Sequence, residues 1–150
     1  MTTADHQLVS DVARSFSVKM ITLFESTAIR YDETPLGEEM EVNVSIENEI
    51  GEIVNGFVEC QSVCSLTVKN GLKDVALFIS HYRPFYEVDR DFVKDLLLKD
   101  NKPIRDALND LVLQQVYPYH RQLLSDTMLR MNLPVFLLPA LAPSKLVRQA

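Results

Sequence analysis

Near Arg83-Pro84 the hydrophobic periodicity of this 150-residue chain changes from a repeat of two to a repeat of about 3.6. Upstream, Val42, Val44 and Ile46 alternate with Glu41, Asn43, Ser45 and Glu47, and Val58, Cys60, Ser62, Cys64, Leu66 and Val68 form one face of a longer strand. Such alternation buries one face of a sheet and wets the other. Downstream, Phe92, Val93, Leu96 and Leu97, then Ile104, Ala107, Leu108, Leu111, Val112 and Gln115, follow helical spacing. Strands followed by helix specify an α+β domain, a four-stranded antiparallel sheet with a long C-terminal helix packed on one face.

The remaining elements fit that frame. Leu8, Val9, Val12, Ala13 and Phe16 predict a short amphipathic helix over 5–16, and the β-branched and aromatic run from Val18 to Arg30 predicts the first strand. Pro35 and Gly37 break the chain between Tyr31 and Glu39. Gly51 marks a turn after the second strand, Asn70-Gly71 a hairpin after the third, and a fourth strand runs from Val75 to about Tyr82. Connections this tight pair neighbours antiparallel, because parallel neighbours need crossovers. Pro103 suits the first turn of a helix, whereas Pro118 is expected to kink or split the pattern continuing to Met131. No repeat or interdomain linker divides the chain, so 1–150 reads as one domain.

Fifteen basic against 21 acidic residues leave a net charge of −6, which repels a phosphate backbone. Nucleic acid is not an expected partner. Four glycines, Gly37, Gly51, Gly56 and Gly71, form neither a dinucleotide fingerprint nor a phosphate loop, and no cofactor is expected. His6, His81 and His120 are scattered without metal spacing, so each reads as solvated or packed. Cys60 and Cys64, four apart in a strand, have α-carbons about 13 Å apart, too far for a disulfide. They read as reduced structural thiols rather than nucleophiles, in a reducing compartment. The first twenty residues lack a signal peptide's apolar stretch, and no run is long enough for a spanning helix, so a cytoplasmic protein is expected. The acidic residues Glu38, Glu39, Glu41, Glu47, Glu49 and Glu52 read as a solvated face rather than a catalytic pair.

One segment resists a bland description. Leu133 to Pro143 reads LPVFLLPALAP, and its prolines bar both a helix interior and a central strand. It must lie extended over something apolar. Either it seals the domain's own core, or its side chains, Phe136, Leu137 and Leu138 above all, line a groove for extended apolar peptide.

The segment Val116 to Pro134, VYPYHRQLLSDTMLRMNLP, resembles the long helix of the SecB-family chaperones, with Tyr117, Pro118, Tyr119, Arg121, Arg130 and Pro134 at that family's spacings. The order of four strands then a helix is similar along most of the chain. The resemblance implies a long helix at a subunit interface, here Tyr117, Pro118, Tyr119, Arg121, Leu124 and Met128, in a tetramer built as a dimer of dimers. It implies unfolded polypeptide as client, in a groove between the connection after strand one, with Tyr31 and Leu36, and the C-terminal segment, with Leu133, Val135, Phe136, Leu137, Leu138 and Leu141.

The sequence also departs from that family. The Asn-Phe expected after the second proline is missing and Pro139 arrives one residue early, so the family's C-terminal helix is expected to be short or absent. Export-type SecB docks on the SecA motor through acidic residues of its sheet, and Met20 and Ile79 stand at two of those positions. SecA docking is therefore not expected. Members without that role include chaperones dedicated to an antitoxin. The resulting expectation is an ATP-independent holdase, not an enzyme, binding an apolar antitoxin extension by burial at about 25 cal/mol per Å². General export through SecA, and a small-ligand-binding α+β domain, are the alternatives.

Overall fold

A computed structural model of the chain describes residues 3–31, 40–91, 102–131 and 147–149. The elements run α1 (Thr3–Ser15), β1 (Phe16–Arg30), β2 (Glu41–Val54), β3 (Phe57–Asn70), β4 (Lys73–Val88), α2 (Lys102–Arg130) and β5 (Val147–Gln149). The sheet order is β1-β4-β3-β2-β5, with the first four antiparallel and β5 parallel to β2. The expected α+β architecture is present, with one addition, the short fifth strand.

Even-numbered residues of β3 and β4 from Val58 to Val68 and from Ala76 to Val88 face inward and are buried, while the odd ones face outward. Against that face α2 lays Ile104, Leu108, Val112, Val116, Tyr117, His120, Leu124 and Met128, a stripe at helical spacing. Burying each large aliphatic side chain stabilises by about 1.5–3 kcal/mol. The core divides into two apolar clusters. One joins Ile46, Leu66, Val68 and Phe78 to the C-terminal half of α2; the other joins Val58, Tyr82 and Tyr86 to its N-terminal half and to Val12 and Phe16.

Three features differ from the sequence expectation. The β2–β3 hairpin turns at Asn55-Gly56, both at positive φ, rather than at Gly51. Gly51 lies inside β2 at the register break between Ile50 and Ile53, where a Cβ would collide with the Glu59 carbonyl oxygen. β4 runs through Pro84 to Val88 instead of ending near Tyr82. A proline inside a central strand removes a ladder donor. The β3 pairing accordingly skips the positions opposite Arg83 and Pro84, and β1 carries irregularities between Val18 and Met20 and between Leu23 and Glu25 that take up the strain. Finally, α2 passes Pro118 without splitting. Pro118 is exposed, so the Gln114 carbonyl that loses its donor lies on the solvent side of the helix.

Candidate polypeptide-binding site

The ends of two expected groove walls meet at one corner of the sheet. The Tyr31 N–H donates to the Val75 carbonyl at 2.8 Å, closing β1 onto β4. Arg30 Nη1 donates to the carbonyl of Met131, the residue after α2, at 3.3 Å. Met40, where the chain rejoins the sheet, packs with Met131 on the cluster of Ile46, Leu66, Val68, Val75, Leu124 and Met128. The described residues that flank the connection 32–39 and precede the segment 132–146 therefore meet at this apolar corner. Tyr31 stands there 55% exposed. The other sequence-predicted client residues, Leu36, Leu133, Val135, Phe136, Leu137, Leu138 and Leu141, lie outside the described residues, as does the expected family C-terminal helix.

A second apolar surface is β1 itself. Among the described residues its outer edge pairs with nothing, and Val18, Met20, Leu23, Phe24 and Ile29 are 39–58% exposed on both its faces. A long apolar edge is a template for another strand, and sequence reasoning missed it because composition alone does not say which strand lies at the edge.

The proposed interface residues divide by helix face. Tyr117, Leu124 and Met128 point at the sheet and are 1%, 6% and 0% exposed, so a single chain already covers them. Pro118 and Tyr119 face outward and Arg121 is half-buried.

On the outer face of the sheet Met20 lies opposite Phe85, and Ile79 lies between Thr27 and Ser65. Arg83 stacks its guanidinium 3.5 Å from the centre of the Phe24 ring and stands 3.8 Å from Glu59, while Glu87 is paired with Lys19 at 2.7 Å.

No family model matches the chain, and no curated protein matches it. Among solved structures, the Mycobacterium tuberculosis Rv1957 SecB-like chaperone, in complex with a ChAD peptide from the Rv1956 HigA1 antitoxin, superposes with a TM-score of 0.72 at 16% identity, covering 92% of this chain and 99% of that one. The chain has the SecB-like fold. A protein of unknown function from Streptococcus agalactiae is similar at a TM-score of 0.45 and 10% identity, over 83% of this chain and 96% of that one.

Within the SecB-like fold the two apolar clusters are separated by a polar belt. His120 is fully buried; its Nε2 lies 2.9 Å from Ser62 Oγ and its Nδ1 2.6 Å from Ser80 Oγ, with the Tyr82 ring edge-on to it. Burial, and secondarily the nearby His81, push its pKa down to about 4, so the imidazole is neutral and one ring nitrogen donates while the other accepts. A serine 2.6 Å from an imidazole has the contact of a nucleophile with its base, but here a second serine occupies the other nitrogen where an orienting carboxylate would stand. The depression beside Ser80, lined by Ser26, Thr27, Leu123 and Thr127, has room for about one water molecule. The arrangement is a lock that fixes α2 on the sheet. Ser62 and His120 sit at inward positions of the strand and helix periodicities, which is the signal that could have found it.

Cys60 and Cys64 are free and buried, their thiols pushed up to about 12 by burial, with a hydrogen bond from Gly51 partly opposing this at Cys60. Among the described residues no three His, Cys, Asp or Glu side chains gather as metal ligands, and no helix is long and apolar enough to cross a membrane.

Proposed function

We propose that the chain is an ATP-independent holdase that binds apolar segments of other polypeptides, with an antitoxin as its dedicated client, and that it acts in the cytoplasm without catalysing a reaction. The observation that carries this is the superposition on a chaperone solved with an antitoxin peptide. The apolar corner supports it: Tyr31, Met40 and Met131, which adjoin the two segments that the sequence reading assigns to the client groove, lie at one corner of the sheet. Burial of an apolar peptide needs no nucleotide, since its free energy comes from area removed from water. Two free buried thiols suit a reducing compartment.

Homo-oligomerisation belongs to the same proposal. The outer edge of β1 and the outward face of α2 around Pro118, Tyr119 and Leu129 are the surfaces that would join copies. Direct export through SecA finds less support, because Met20 and Ile79 stand where the resemblance expects carboxylates.

The test places a charge in the segment that follows Met131 in the sequence. Phe136→Asp and Leu137→Asp are titrated with a fluorescent apolar peptide and melted in parallel. At least one variant keeps its melting temperature and loses the peptide, because successive residues of an extended segment point to opposite sides. Unfolding of both, or normal binding by both, would remove this segment from the client site.

A further inference from the structure

β5 is three residues long, lies at the end of the chain, and pairs in parallel with the middle of β2. Its register sets Val147 opposite Ile46, Arg148 opposite Glu47 and Gln149 opposite Asn48. β2 has 14 residues, so among the described residues most of its outer edge remains unpaired on either side of β5. Parallel pairing is slightly weaker per residue than antiparallel, and three residues make a short ladder.

Two further observations show that the tail is an imperfect occupant. Asn48 is 2% exposed, yet among the described residues neither its amide nitrogen nor its amide oxygen has a hydrogen-bond partner. A buried amide left unpaired is costly, and a donor or acceptor on a neighbouring strand would relieve it. The other observation is chemical alternation along the edge. Val44, Ile46 and Ile50 face inward and are covered wholly or in part, while Glu41, Glu47 and Glu49 face outward and are exposed. A strand laid along this edge meets apolar side chains on one face and carboxylates on the other.

We propose that β5 is a self-supplied occupant of a strand-addition site, displaced when an extended client segment with alternating apolar and basic residues pairs along the β2 edge. This rests on the holdase function proposed above and names where and how the client's backbone is held. Main-chain hydrogen bonds supply affinity without sequence, and the alternating faces supply preference. The tail covers the middle of the edge in the absence of client, as an exposed strand edge otherwise invites aggregation.

The full-length chain and its Val147→Pro variant are titrated with a fluorescein-labelled ten-residue peptide alternating isoleucine and lysine, and with the same peptide methylated on every second amide nitrogen. Proline is disfavoured inside a ladder, so the fraction of chains with an open edge rises and the unmodified peptide binds about fivefold more tightly. The Glu47→Lys/Glu49→Lys variant binds it about tenfold more weakly. Methylation, which leaves side chains and charge intact, lowers affinity at least tenfold for every chain. Unchanged or weaker binding by Val147→Pro, or equal binding of the methylated peptide, overturns strand addition. Precipitation of reduced insulin is followed alongside. If the wild-type chain protects insulin while the peptide arms fail, strand addition falls and the holdase function survives; if it protects nothing, the holdase function falls and this inference with it.

Discussion

Acidification should loosen the fold through one residue. His120 is buried between Ser62 and Ser80, with Tyr82 against its ring and His81 nearby, and among the described residues no carboxylate partners it to stabilise a charge there. Its pKa is pushed down from 6.5 to about 4 by burial. A base with a depressed pKa is neutral in both states above pH 6.5, so it makes no difference there. Between pH 6.5 and about 4 the unfolded chain takes up a proton that the folded chain refuses, so stability falls as pH falls. The slope approaches about 1.4 kcal/mol per pH unit and the total is about 3 kcal/mol, a large share of a small domain's stability. Urea unfolding of the wild type and of His120→Gln, followed by circular dichroism from about pH 7.5 to about pH 4, isolates the term, because carboxylate titrations common to both chains cancel in the difference. The wild type should lose about 3 kcal/mol relative to the variant over that range. A difference that stays flat with pH would refute the buried neutral imidazole.

Other outcomes follow from the same geometry. Cys60 and Cys64, with thiols pushed up to about 12, should resist a thiol reagent at mildly alkaline pH until urea unfolds the chain; rapid labelling of the native protein would contradict their burial. The zinc-binding C-terminal domain of SecA should bind weakly or not at all by calorimetry, with Ile79→Glu strengthening residual binding; strong wild-type binding would revive the export role. Light scattering at micromolar concentration should give a multiple of the 17.1 kDa chain mass, reduced by Leu23→Lys on the β1 edge; a wild-type monomer would remove the proposed assembly.

The parts legible in the sequence are those with a strict period. Val58 through Val68 and the α2 stripe from Ile104 to Met128 face the core as their spacing requires, because every second strand residue and every third or fourth helix residue must share a face. What escaped depended on tertiary context. Pro84 suggested the end of a strand, yet gaps and irregularities in its two neighbours let β4 continue. Gly51 suggested a turn, but the Glu59 carbonyl against it shows a close backbone approach inside β2. The fifth strand lies too far along the chain from β2 for any local pattern to reveal it. At the apolar corner the breaks after Tyr31 and at Met131 were each legible locally, whereas their convergence, which includes a hydrogen bond from Arg30 to Met131, 101 positions apart, was not.

The central claim is that this chain holds unfolded polypeptide by burial alone. The direct measurement is the turbidity of a reduced or urea-diluted substrate protein with increasing amounts of the chain and no nucleotide. The account predicts that aggregation is suppressed near equimolar chain and that added ATP changes nothing. An aggregation curve that the chain leaves unaltered at several-fold excess would contradict it.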